Sequence, residues 1–303
     1  MGIGDFFNSL VKKSANLFSM ESLKKKESLV INNDVNTLVL GSEGTGKTRK
    51  ILIPTVCEIA KTGKSMVIAD RRGTIYNSTC DYLKKQGYNL VIVNLYEEPI
   101  MSLFDIEGLE SMGTDKTVVF IIFDFSQDDR NTMASLIIEK VYKSLLDLSI
   151  ENDSKNMRNV TCILDDLSMI PHLSNFDKML ENGPSNGFKY IVAIQGIGQI
   201  EKVYHDTFNK INGNFKNIVF LGTPDMETAK FIVKKAGRTR LDNEHINYMK
   251  GIDSVPRFLL DEVLRLERNK CIFITNDDIA KIFDLPSVSE WETSKGITQC
   301  KGR

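Results

Sequence analysis

Short apolar runs recur along the chain, at Thr37–Leu40, Ser65–Ala69, Leu90–Asn94, Val118–Phe123, Thr161–Leu164, Tyr190–Ile194, Ile218–Leu221 and Cys271–Thr275. Most are near-continuous Val, Ile and Leu rather than strict alternations. Strands buried on both faces of a parallel sheet have this pattern. Segments with helical spacing lie between many of them: Arg49–Ala60, Asn77–Gln86, Thr132–Leu148, Phe176–Glu181, Glu201–Asn212 and Met226–Ala236. The alternation predicts an α/β fold, a mostly parallel, doubly wound sheet with helices on both faces. In such sheets ligands bind at the carboxyl ends of the strands. Polar connections fall at Glu107–Lys116 and Ile150–Asn159. Residues 31–290 read as one body, with a distinct segment before it (1–30) and a loose tail after it (291–303).

The first strand-to-helix junction carries the sharpest chemistry. It reads Gly41-Ser42-Glu43-Gly44-Thr45-Gly46-Lys47-Thr48, a phosphate-binding loop set between a strand and a helix. Glycines let the backbone turn tightly, so that N–H groups point inward at phosphates. The helix N-terminus adds partial positive charge beneath them. In this motif Lys47 reaches the β- and γ-phosphates and Thr48 holds Mg²⁺. The body over 31–290 therefore reads as a nucleotide-binding domain, with ATP and Mg²⁺ as its cofactors.

A second signature lies at the end of the run Val160–Leu164, which stops at Asp165-Asp166. One carboxylate there can hold water of the Mg²⁺ shell, and its neighbour can polarise an attacking water. Taken alone, the pair is equally a strand-end turn in which Asp caps the next helix. Gln195, at the end of Tyr190–Ile194, is the third candidate: a residue near the γ-phosphate that orients water, or a surface amide in a turn.

Composition narrows the partners. The chain has 303 residues and a net charge of −1, so no global basic excess marks it as a free-standing DNA-binding module. Local basic clusters exist at Lys12–Lys13, Lys24–Lys26, Arg71–Arg72, Lys234–Lys235 and Arg238–Arg240. Cys57, Cys80, Cys162, Cys271 and Cys300 form no CxxC pair, and three sit in apolar runs, as buried free thiols of a reducing cytoplasm do. His172, His205 and His245 have no metal-ligand spacing. No stretch approaches the roughly 18–20 apolar residues of a membrane-spanning helix. Residues 1–26 mix Phe6, Phe7, Leu10, Val11, Leu17 and Phe18 with Lys12, Lys13 and Lys24–Lys26. They read either as an amphipathic basic helix packed on the body or as one lying peripherally on a membrane or partner surface.

In order along the chain, several segments resemble the type IV coupling proteins of conjugation, the TraG/TraD-type DNA-transfer ATPases. The loop Gly41–Thr48 is followed by Ile53-Pro54, as in that family. Asp70-Arg71-Arg72-Gly73-Thr74 is similar to its Asp-Pro-Lys-Gly-Glu segment. Ile163-Leu164-Asp165-Asp166-Leu167 resembles its Asp-Glu-Phe block, and Ile194–Ile200 its Gln-Ser-x-x-Gln-Leu run. Leu221–Ala229 and Leu259–Leu266 resemble two later blocks. The resemblance implies a RecA-like P-loop NTPase that assembles as a hexamer and hydrolyses ATP. It implies partners as well: a relaxase–DNA complex and the ATPases of a secretion channel, at the cytoplasmic face of the cell membrane. It places Lys47 and Thr48 on phosphate and Mg²⁺, Asp165 in the metal shell, Asp166 where the family has its catalytic glutamate, and Gln195 at the γ-phosphate.

Four departures accompany the resemblance. The family's transmembrane anchor and its helical insert domain have no counterpart, since Ser102–Ile106 leads through a short link to Val118–Phe123. Asp166 stands for a glutamate whose longer arm carries the carboxylate further. The turn where the family has the arginine of its Arg-Ser-Arg-Gly sequence reads Gly183-Pro184-Ser185-Asn186-Gly187. Two functions follow: a coupling-protein-like ATPase with slow hydrolysis, or a nucleotide-binding adaptor or inhibitor that docks onto full-length coupling proteins.

Overall fold

The computed structural model describes residues 31, 35–95, 112, 115–123, 128–151, 159–170, 172–240, 254–276 and 279–285. The basic segment 1–26 and the tail 291–303 lie outside them. Every apolar run noted above forms a strand: β1 (Thr37–Leu40), β2 (Ser65–Arg71), β3 (Asn89–Asn94), β4 (Thr117–Phe123), β5 (Val160–Leu164), β6 (Phe188–Ile194) and β7 (Asn217–Phe220). A two-stranded pair follows, β8 (Arg238–Arg240) with β9 (Ser254–Pro256), and then β10 (Lys270–Thr275) and β11 (Lys281–Asp284). Strands β8, β9 and β11 have no apolar run to announce them, being short and carried on turns rich in charge.

The main sheet has the order β11-β10-β7-β1-β6-β5-β2-β4-β3. Strands β1 to β7 run parallel, and β10 and β11 add an antiparallel edge. The continuous Val/Ile/Leu runs are explained by what covers them. Residues alternate between two apolar layers: Leu38 and Leu40 enter one, Val39 the other. One layer is closed by α1 (Ile53–Thr62) and α2 (Thr74–Lys85), through Val56, Ile59, Ile75 and Leu83. The other is closed by α3 (Asp128–Glu151), α4 (Phe176–Asn182), α5 (Ile197–Val203), α6 (Phe208–Gly213), α7 (Met226–Ala236) and α8 (Leu260–Leu264). The protein is a doubly wound α/β sheet with helices on both faces. Cys57, Cys162 and Cys271 are buried free thiols within it.

Two helices differ from their sequence signatures. The first opens at Lys47 as a π-helical turn, Lys47–Leu52, before continuing as α1. Pro54 has no N–H, and its ring opposes the carbonyl four residues earlier, so the widened turn accommodates it. The predicted helix Glu201–Asn212 is two helices, α5 and α6. Tyr204 divides them, with its ring buried against Phe176 at 5.6 Å and its hydroxyl accepting from Leu173 N–H at 3.1 Å. A tertiary anchor overrides the helical spacing at that point.

Strand β2 ends in a tight reversal. Arg72 (φ 66°) and Gly73 (φ 68°) are both left-handed, which turns the chain at once into α2. Asp70, fully buried, braces the turn by accepting Tyr76 N–H at 2.7 Å. Burial pushes its carboxyl from 3.8 up to about 7, against the opposing pull of the Tyr76, Ile75 and Thr74 N–H groups. Between these two values the folded chain holds one proton more than the unfolded chain. Stability from Asp70 is therefore full below the lower value and is lost as pH rises through the upper, at about 1.4 kcal/mol per pH unit. Asp70→Asn has no such proton, so it should gain stability relative to the parent between about pH 4 and about pH 8. Urea unfolding at both pH values measures this, and a difference independent of pH would refute it.

Candidate nucleotide site

Parallel register builds the site. Leu40 of β1 lies opposite Ile194 of β6, and Leu164 of β5 opposite Val192 of the same strand. The three strands thus end side by side, with β6 in the middle. Their next residues are Gly41, Gln195 and Asp165. Segments 41–48, 165–166 and 195, far apart in the chain, meet because the strands carrying them are neighbours.

The loop is pinned at both flanks. Gly41 N–H donates to Ile194 O at 3.2 Å, and Ser42 N–H to Gly222 O at 3.0 Å. Ser42 Oγ donates to Thr223 Oγ1 at 3.3 Å, and Thr45 Oγ1 to Ser42 O at 2.8 Å. Gly44 (φ 78°) and Gly46 (φ 98°) adopt the left-handed conformation that turns the chain around a cradle. The N–H groups that open the helix at Lys47 have no carbonyl in their own helix to bond.

Within the cradle, Lys47 Nζ donates to Gly41 O at 2.6 Å and to Ser42 O at 3.3 Å. Burial lowers its pKa, while Asp166, Asp165 and Glu43 pull it back up. Thr48 Oγ1 donates to Asp165 Oδ2 at 2.9 Å. Burial pushes Asp165 up to about 6, opposed by the Thr48 hydroxyl. Asp166 takes a left-handed backbone (φ 60°, ψ 53°), which aims its carboxylate across the strand ends. It accepts from Gln195 Nε2 at 3.3 and 3.4 Å and from Ser168 Oγ at 3.2 Å. It is also ion-paired with Arg71 Nη1. A cleft of about 350 Å³ opens beside the loop, lined by Ser42, Gln195, Gly196, Gln199, Thr223 and Asp225 among others.

The candidates from three separate strands thus converge, Lys47 and Thr48 on the loop, Asp165 and Asp166 after β5, and Gln195 after β6. The residues fit a magnesium nucleotide: a glycine-turned loop at a helix N-terminus, a buried lysine, and a hydroxyl and carboxylate paired as oxygen donors for a hard cation. Sequence reasoning did not select Arg71. Its signal was in the strand order: Ala69 pairs with Leu164, so two steps on Arg71 comes opposite Asp166. Among the described residues no group of His, Cys, Asp and Glu is spaced to hold a metal on its own.

Residues 159–267 match the family model described as the TraM recognition site of TraD and TraG. The matched segment, about a third of the chain, is similar to that domain. It contains Asp165, Asp166 and Gln195 and runs on through α7 and α8. The fold of the whole described chain is that of conjugative coupling proteins. The bacterial conjugative coupling protein TrwBdeltaN70, in an unbound monoclinic form, is similar at 15% identity with a TM-score of 0.63, over 90% of this chain and 92% of that one. TrwB with the non-hydrolysable ATP analogue ADPNP is similar at 13% identity and a TM-score of 0.65, over 90% and 92%. TrwB with ADP and Mg²⁺ is similar at 14% identity and 0.64, over 90% and 91%. No curated protein matches the chain.

Gly41 gives a direct test of the cradle. A Cβ there would lie 2.6 Å from Thr45 Oγ1 and 3.0 Å from Leu221 Cβ, so both neighbours would have to shift. Gly41→Ala should destabilise the fold by about 1–3 kcal/mol through overpacking and weaken nucleotide binding. Thermal unfolding and calorimetric titration measure the two effects, and a variant matching the parent in both would show that the loop tolerates a side chain there.

Proposed function

We propose that the chain is a coupling-protein-like ATPase of conjugative DNA transfer, binding Mg²⁺-ATP in the body formed by residues 31–290. The observation that carries this is the meeting of the Thr48–Asp165 pair with the Asp166–Gln195 pair at the ends of three neighbouring strands, within and beside the segment similar to the TraD/TraG domain. The ADPNP and the ADP with Mg²⁺ bound by TrwB support the choice of nucleotide and metal.

Each residue then has a role. The loop from Gly41 to Thr48 binds the phosphates through those of its N–H groups that are not bonded to the flanking strands, and Lys47 adds a positive charge at the β- and γ-positions. Thr48 and Asp165 hold the metal, which when bound screens the phosphate charge. Gln195 orients water, and Asp166 accepts a proton from it. An aspartate in Asp166's position is shorter than glutamate, so turnover is slow. The similarity over 159–267 points to a TraM-type recognition partner, and through it to a relaxase–DNA complex. Secretion-channel ATPases, a hexameric ring and peripheral contact of residues 1–26 with the cytoplasmic membrane face complete the reading.

Titration of the full chain with ATP in magnesium, followed by turnover with and without single-stranded DNA, tests the proposal. Lys47→Ala should lose at least about tenfold in nucleotide affinity, the size of one charge-assisted contact, and turnover should fall to background. Turnover unchanged in that variant would remove Lys47 from the site. Nucleotide affinity with no turnover at any protein concentration would make the chain an adaptor instead.

A further inference from the structure

We propose that Arg71 is the residue by which this site distinguishes a nucleoside triphosphate from a diphosphate: its guanidinium, positioned by Asp166, contacts the terminal phosphate. The inference rests on the nucleotide site proposed above and adds a residue to it. Where the coupling-protein segment has proline, this chain has arginine, so the feature belongs to this chain.

The first support is placement. Arg71 is the last residue of β2, and β2 is hydrogen-bonded to β5 up to Ala69 and Leu164. Asp165 N–H donates to Ala69 O at 3.0 Å, which extends the register by one residue. The abrupt left-handed turn at Arg72 and Gly73, braced by Asp70, stops the strand there. Arg71 is therefore held on a rigid strand end beside the carboxylates, rather than on a loop.

The second support is charge. The Arg71 and Asp166 side chains, 12% and 9% exposed, form the ion pair in a largely water-excluded place. The Arg71 charge also reaches Lys47 and Asp165. The site thus holds two cations and two carboxylates. A terminal phosphate approaching Gln195 meets Asp166, which accepts from that same amide. Two anions at close range repel strongly where water is excluded. Arg71 relieves this, because a guanidinium can serve a carboxylate on one edge and a phosphate on the other. A diphosphate stops short of Asp166 and depends on the loop N–H groups and Lys47.

Two other arginines are occupied elsewhere. Arg238 donates to Ser254 O at 2.6 Å, on the small two-stranded sheet. Arg257 donates to Ala280 O at 2.7 Å.

The test compares affinities of the full chain for ADP and for ADPNP, both in magnesium, by calorimetry or by displacement of a fluorescent nucleotide. Arg71→Ala should weaken ADPNP by about 10- to 100-fold, the size of a charged contact, and change ADP by less than about twofold. Arg71→Lys, which keeps the charge and covers the case where the alanine variant does not fold, should fall between parent and alanine. Adding Asp166→Asn to Arg71→Ala removes the repelling carboxylate and should restore part of the ADPNP affinity, an effect that a purely structural arginine would not produce. Equal weakening of both nucleotides, or of neither, would overturn the inference while leaving the nucleotide site in place. A parent that binds neither would overturn both.

Discussion

The common end-line of β1, β6 and β5 is the constraint on which the rest of the structure depends. Each strand is buried on both faces, so its register is held by two apolar layers at once. A slip of one residue would exchange the layers for every side chain in the strand. With that freedom removed, Gly41, Gln195 and Asp165 must emerge together. The hydrogen bond from Thr48 to Asp165 then closes the loop against β5.

The cluster at this end-line is costly by itself. Lys47, Asp165 and Asp166 are all buried, and burial disfavours the charged form of each such group. Opposite charges placed close together offset part of that cost: Lys47 stands near both carboxylates, and Arg71 pairs with Asp166. Such a set is weak evidence of stabilisation, since well-packed apolar residues would often do as well. We attribute it instead to the nucleotide site proposed above. Asp166 supports this, because it holds a left-handed backbone that disfavours most non-glycine residues in order to aim its carboxylate. Asp70, one residue from Arg71 and on the opposite side of the strand, has a separate role as the brace of the turn into α2.

Much of the fold was legible because its signals are local. A strand covered on both faces must be continuously apolar, and the eight runs from Thr37–Leu40 to Cys271–Thr275 each became strands. Helix α7 begins and ends where its spacing placed it, with Asp225 capping Glu227 and Thr228 N–H. The signals failed where the deciding contact was distant. Tyr204 breaks a helical pattern because its ring is held by Phe176 and its hydroxyl by Leu173. The edge strand β11 exists because β10 presents free bonding groups to it, and its own residues carry little sign of that.

For the site, the order of residues alone marked the loop Gly41–Thr48, since a strand, a glycine turn and a helix are consecutive and their geometry follows from backbone conformation. It also marked Asp165, Asp166 and Gln195 as strand-end polar residues, each with a bland alternative. Only the tertiary structure brought them together, by setting β6 between β1 and β5. It alone brought in Arg71, whose partner lies 95 residues away. The physical reason is that pairing between parallel strands is set by the packing of whole layers, so which carboxylate meets which cation is a property of strand order rather than of any stretch of chain.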